Sequence, residues 1–269
     1  IGKRKAVSLY RNGELDTVFS GWPAGVDDLL VQARFDGDRY NVYFGALEGK
    51  IVRELHSRSL RTDRWDGSGQ TIDGVVVAPV GVHSEMLDKV VAALGYTGVG
   101  CAQFLFDPST GQSCFLEINP RFGASYAFVE RAGFDLTGLA LELAEPTPAP
   151  RPLRQPPRPL RFVWTYGDLS GLRFSVQTGD VTPWQAARWA FAAFAAAIAA
   201  DVHVTWSWSD PGPTLSAYLG QIGNLIWRHK NAGAPDRPAI SPQRGAASHG
   251  DGAAFRPAPA EARRRALRP

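Results

Sequence analysis

Apolar and polar positions are most sharply ordered over residues 103–121, QFLFDPSTGQSCFLEINPR. Residues 99–106 are apolar and β-prone, 107–111 (Asp-Pro-Ser-Thr-Gly) are turn formers, and 112–119 are apolar again. This pattern predicts a strand, a tight connection and a returning antiparallel strand. Pro120 has no N–H and should end the second strand. Side chains alternate across a strand, so Glu117 and Asn119 share one face while Leu116 and Ile118 point the other way, toward a core. Gln103 on the partner strand is placed to converge on Glu117 and Asn119, with Arg121 just past the strand end.

The rest of the chain is read the same way. Residues 6–10 are strand-like and follow a basic run, Lys3-Arg4-Lys5. A short helix near Glu14 and a loop lead to a strand over 29–35 (LLVQARF), which turns at Asp36-Gly37-Asp38. Strands at 40–46 and 50–56 flank a hairpin turn at Glu48-Gly49. Arg58, Arg61 and Arg64 precede a polar, Gly-rich segment at 66–71. Ser84 is a good N-cap for a helix whose apolar stripe is Met86, Val90, Val91 and Leu94, stopped by Gly95. Beyond Arg121 the pattern predicts a helix over 126–131 ending at Gly133, then one capped by Asp135 and running to Leu143.

A proline- and arginine-rich stretch follows, stiff enough to act as a linker. Residues 160–208 hold strand-like FVWTY, RFSVQTG and VHVTWSW around an alanine-rich helix at 184–200. A turn at 210–213 precedes a helix over 215–227. From 233 onward no apolar period survives, and a disordered tail is expected. The expected domains are 1–147, a linker at 148–159, an extension at 160–232 and the tail at 233–269.

Composition narrows the class. A hydrophobic content of 44% is that of a globular protein. The formal charge of +3 lies mostly in the last residues and gives no case for nucleic acid. The alanine-rich helix carries Arg188 and is short for a membrane span, so a helix of a soluble protein is expected, with an interfacial helix as the alternative. Cys101 and Cys114 are placed to oppose each other across the hairpin, without a CxxC partner. Reduced, structural cysteines in a cytoplasmic protein are the expectation.

The chemistry rests on the hairpin. One carboxylate and two amide oxygens form a hard-oxygen set suited to Mg²⁺. Arg121 adds a planar donor fork for phosphate oxygens. An ordinary hairpin with a polar solvent face accounts for the same pattern.

F-L-E-I-N-P-R, preceded by a strand ending F-x-x-D and a Thr-Gly turn, resembles the metal- and phosphate-binding signature of the ATP-grasp superfamily. The resemblance runs from about residue 7 to about residue 144. It implies an α+β fold with helices packed on one face of an antiparallel sheet, here without its N-terminal part, plus an α/β C-terminal extension. It implies Mg²⁺ (or Mn²⁺) held by Glu117 and Asn119, with Gln103 as the third ligand in the manner of the carbamoyl-phosphate-synthase branch. Arg121 matches the arginine that contacts the transferring phosphate. With only Glu117 charged, free Mg²⁺ should bind poorly and arrive with ATP. A unit charge about 4 Å away is worth on the order of 4 kcal/mol at an effective dielectric near 20.

In the same resemblance residues 32–35 (Gln32, Ala33, Arg34, Phe35) lie along the adenine edge, and Arg58 is the nominated phosphate contact. The Gly-rich segment 66–71 corresponds to a loop near the phosphates, and a solvent loop fits it equally. The sequence departs from the pattern at Arg39, where a ribose-binding Glu is expected. Arg has no acceptor for a hydroxyl proton. Either nucleotide affinity is reduced or a bulge re-aims Asp38. His56 reads as structural.

The implied function is a ligase that forms an acyl-phosphate from a small-molecule carboxylate and ATP, for attack by an amine or other nucleophile. A separately encoded N-terminal part, or a homo-oligomer, would complete it. The alternatives are a degenerate, non-catalytic module that binds nucleotide weakly or a protein partner, and a purely structural domain.

Overall fold

The computed structural model describes Glu14 and residues 32–145, 147–151, 157–207 and 209–220. The basic run Lys3-Arg4-Lys5, the strand at 6–10, the start of the 29–35 strand, part of the linker, the end of the 215–227 helix and the tail lie outside the described residues.

Seven strands form one sheet in the order β5-β4-β1-β2-β3-β6-β7. They are β1 Asp38–Leu47, β2 Lys50–Thr62, β3 Thr71–Val77, β4 Gly98–Asp107, β5 Gln112–Asn119, β6 Arg161–Val163 and β7 Val202–His203. Among the described residues only β6 and β7 pair in parallel. The helices described in full are α1 Gly81–Leu94, α2 Tyr126–Arg131, α3 Leu136–Ala144, α4 Thr165–Gln177 and α5 Pro183–Ala199, and residues 212–220 are also helical. Among the described residues no helix is long and apolar enough to cross a membrane.

The α+β class holds, but helices cover both faces of the sheet rather than one. Tyr40, Val42, Phe44, Ala102 and Phe104 pack with Leu87 and Val91 of α1. Tyr43, Leu55, Val76 and Cys101 pack with Phe128, Leu136 and Leu139 of α2 and α3 on the other side. The cause is visible in β1, which is buried without a break from Tyr40 to Ala46. A central strand that is apolar on both faces needs cover on both.

Local signals place the helix ends. Glu48 (φ 48) and Gly49 (φ 77) both adopt the left-handed region that a two-residue hairpin demands. Gly95 (φ 56) closes α1, and its N–H reaches back to the last-turn carbonyls. Asp135 accepts from the Gly138 N–H at 2.7 Å and caps α3. Thr182 and Gln185 form a capping box at the start of α5. One expected start is displaced. α1 begins at Gly81, and Ser84 donates instead to Glu54 at 2.7 Å.

The extension differs most from the expectation. RFSVQTG is not a strand; it lies mainly in α4. The buried positions of α4 are Gly167, Asp168, Gly171 and Ser175, a helical spacing of small groups. A Cβ on Gly171 would sit 2.5 Å from the Asp63 carbonyl oxygen, so this helix lies directly against backbone. FVWTY supplies only the three-residue β6, which pairs with β3 and so continues the main sheet.

Candidate functional site

The turn between β4 and β5 is built by Asp107. Its Oδ1 accepts from the Ser109 N–H at 2.8 Å, and Gly111 (φ 70) completes the reversal. Beyond a shift in register between Gln103 and Phe104, Gln103 stands opposite Glu117 and Cys101 opposite Asn119. All four side chains therefore belong to one face. Asn119 Nδ2 donates to Glu117 Oε1 at 2.8 Å. That bond leaves Glu117 Oε2 and the Asn119 amide oxygen open to a ligand. Glu117 is exposed, and Gln103 and Asn119 are half-buried.

A register shift between Gln103 and Phe104 changes one expectation. Leu116 is the extra residue of this bulge and is 41% exposed, not in the core. Phe115 instead meets Phe104 edge-on, with centroids 5.5 Å apart, and Ile118 packs under α1 as expected. The cysteines do not oppose each other as expected. Cys114 pairs with Leu105, so it does not face Cys101, and both thiols are free.

Arg121 is exposed beyond the strand end, and its Nη1 donates to the Phe122 carbonyl at 3.2 Å. Arg121 and Glu117 both act on the Cys101 thiol. Burial pushes that thiol up to about 12, a Tyr43 hydrogen bond and Arg121 oppose the rise, and Glu117 adds to it.

Arg39 enters the same face from β1, opposite Leu105. Its guanidinium donates to the carbonyls of Gly67 and Gly69. Burial lowers its pKa, while Asp63, Glu117 and Asp66 pull the other way. The Gly-rich loop is thus held by its carbonyls. Its amides are turned inward: Gly67 N–H donates to the Arg64 carbonyl, Ser68 N–H to Asp66 at 3.0 Å, and Gln70 N–H to Asp63 at 2.8 Å. Asn41, opposite Gln103 and buried, is a further polar neighbour that the sequence pattern did not single out.

The other expected nucleotide contacts are not brought here. β1 pairs with β4 without interruption from Asp38 to Ala46, so no bulge re-aims Asp38. Arg58 faces Tyr40 in register and pairs with Asp38 at 3.5 Å, on the opposite face of the sheet from Glu117. Residues 32–37 form no strand. Gln32, Ala33 and Arg34 are exposed and Phe35 is half-buried, with Arg34 paired to Asp36 at 2.6 Å. His56 is structural, as expected: its Nδ1 accepts the Val80 N–H at 3.2 Å, at the entry to α1.

Sequence reasoning missed a buried ionic network. Arg61 holds Asp168 through two bonds of 3.1 and 2.6 Å and reaches Asp73 at 3.2 Å. Arg161 holds Asp73 at 3.0 and 2.8 Å, and Trp189 donates to Asp168 at 2.6 Å. Both carboxylates are 2% exposed. The network ties β2, β3 and β6 to α4 and α5. No spacing in the sequence announces it.

Among the described residues no group of three or more His, Cys, Asp or Glu could hold a metal ion. A set with a single carboxylate and two amides suits a cation whose remaining ligands are phosphate oxygens and water.

Residues 81–150 match the family described as carbamoyl-phosphate synthase L chain, ATP binding domain. No curated protein matches the chain. Similar solved structures include pyruvate carboxylase T882A of Rhizobium etli with acetyl coenzyme A (TM-score 0.36, 19% identity, 46% of this chain and 14% of that one). The L-amino acid ligase of Bacillus licheniformis gives a TM-score of 0.38 at 12% identity, over 48% of this chain and 34% of that one. The biotin carboxylase–β-γ-ATP complex of Campylobacter jejuni gives 0.38 at 17% identity, over 46% and 29%. This chain therefore spans between 14% and 34% of the length of these three proteins. The Gln103–Glu117–Asn119 face lies inside the matched segment, so this part of the chain is similar to the carbamoyl-phosphate synthase L chain ATP-binding domain.

Proposed function

We propose that the face formed by Gln103, Glu117 and Asn119 receives Mg²⁺–ATP in an ATP-grasp ligase. One observation carries this reading: Gln103 stands opposite Glu117 in register, with Asn119 bonded to the same carboxylate. The match to an ATP-binding domain over 81–150 supports it. Glu117 Oε2 and the two amide oxygens would hold the cation. When bound, the cation supplies charge neutralisation between neighbouring phosphate oxygens.

The residues of the chain do the rest. Arg121, free of any carboxylate partner among the described residues, offers its donor fork to the transferring phosphoryl group. A substrate carboxylate oxygen attacks the γ-phosphorus and ADP leaves. An amine or other nucleophile then attacks the acyl carbon and inorganic phosphate leaves. A cytoplasmic setting, with ATP at hand, goes with this reading. So does a second polypeptide or a second copy that supplies the acceptor pocket.

A specific observation favours a second reading, a non-catalytic module. Arg39 occupies the place of a ribose acceptor, and the amides of Gly67, Ser68 and Gln70 already donate within the loop. The two readings separate in an ADP-release assay run with a panel of carboxylates, with and without an upstream-encoded polypeptide. Carboxylate-dependent ADP release supports the ligase. Nucleotide binding with no release under any combination leaves the module.

A further inference from the structure

A concave site whose lining includes none of Gln103, Glu117 and Asn119 lies between the end of β2 and α5. It is a cleft of about 450 Å³ whose walls include Leu60, Arg61, Arg64, Trp65, Arg188 and Trp189. Two indoles form its apolar body, with ring centroids 6.2 Å apart and planes tilted by 31°. Trp189 is buried and fixed by its bond to Asp168, whereas Trp65 is 49% exposed at the mouth. One wall is thus rigid and the other open to a ligand.

The charge of the cleft is one-sided. No carboxylate lines it. Arg61 is neutralised by Asp168 and Asp73. Arg64 lies over the Phe174 ring at 3.9 Å and has no acidic partner among the described residues. Arg188 is exposed at the rim and likewise has none. Two uncompensated guanidinium groups beside two indole faces favour a planar apolar body that carries a negative charge.

We infer that this cleft binds small aromatic carboxylates, with the ring against Trp65 and Trp189 and the carboxylate on Arg188 and Arg64. The site stands apart from the proposed metal face and does not need nucleotide. It is coupled to that face by one element. Gly67 lines the cleft, while its carbonyl is held by Arg39 beside Glu117. An occupant of the cleft would therefore press on the loop that Arg39 clamps.

The test is isothermal titration of the full chain, without nucleotide, using indole-3-acetate, indole and tryptamine. Indole-3-acetate should bind at least tenfold more tightly than indole, a difference of about 1.4 kcal/mol, and tryptamine more weakly than either. Arg188→Gln should bring indole-3-acetate close to indole, and Trp65→Ala should weaken both; each position is exposed enough to leave folding intact. Equal affinity for the acid and indole would overturn the inference. So would the absence of saturable binding, or binding of the acid that neither substitution changes. Because no nucleotide is present, these outcomes are independent of the proposed ATP site.

Discussion

His83 should make this fold acid-sensitive in a narrow window. The imidazole projects from the first turn of α1 into the sheet and has no exposed surface. It stacks on Phe104 at 4.6 Å, with Tyr40 at 5.0 Å and Phe106 at 5.4 Å, and neither ring nitrogen has a hydrogen-bond partner. The titratable groups that face it are His56, whose ring is 6.0 Å away, and Glu54. Burial, reinforced by His56 and opposed by Glu54, brings the His83 pKa from 6.5 down to about 4.

A lowered histidine pKa means that the unfolded chain takes up the proton first. Stability is therefore complete above the ordinary value and falls with pH until the folded form can also be protonated. Each pH step inside that window favours the unfolded chain by about 1.4 kcal/mol. Between about pH 7.5 and about pH 5 the loss should be about 2 kcal/mol. Glu54 titrates below the window. Burial pushes its carboxyl up, but hydrogen bonds from His56 and Ser84 outweigh that and hold it under its ordinary value. Urea unfolding at the two pH values, for wild type and His83→Phe, isolates the histidine. The substitution should remove most of the loss, and it should stabilise the protein at the higher pH because two unpaired buried nitrogens are gone. An equal loss in both proteins would refute the reasoning.

Two further outcomes follow from the buried groups. Asp168→Asn removes the charge that Arg61 holds with two bonds, and it should cost about 1.5–3 kcal/mol in urea unfolding because Arg61 keeps only its contact with Asp73. A cost below about 1 kcal/mol would mean that the network is not coupled to folding. Cys101, with its thiol pushed up to about 12, should resist iodoacetamide in the native state near neutral pH while half-buried Cys114 is modified, as peptide mass spectrometry would read. Equal modification of both would contradict the packing around Tyr43.

The sequence was most informative where one residue type has one job. Turn formers at 107–111, glycine at 95 and aspartate at 135 act within a few residues, and each marks the boundary or the turn it was read for. Alternation placed Glu117 and Asn119 on one face of β5, whereas Gln103 meets Glu117 only through the register shift beside it. It failed at Leu116, where one extra residue shifts the phase, and at Asp38 and Arg58, whose face depends on a register that no local signal states. α4 was unreadable because its small buried residues, Gly167, Gly171 and Ser175, pattern against a backbone distant in sequence rather than into an apolar stripe. The Arg61–Asp73–Asp168–Arg161 network was hidden for a related reason, since Arg61 and Asp168 lie 107 residues apart.

The central claim is that three oxygen-bearing side chains on one hairpin take up a cation carried by a nucleotide. Its most direct test is calorimetric titration of Mg²⁺–ATP into the full chain and into Glu117→Gln. Glu117 is exposed, so the substitution should leave the unfolding midpoint without ligand unchanged. The wild-type chain should bind, and the variant should bind at least tenfold more weakly, about 1.4 kcal/mol. The same affinity in both, or no binding by the wild type, would contradict the claim.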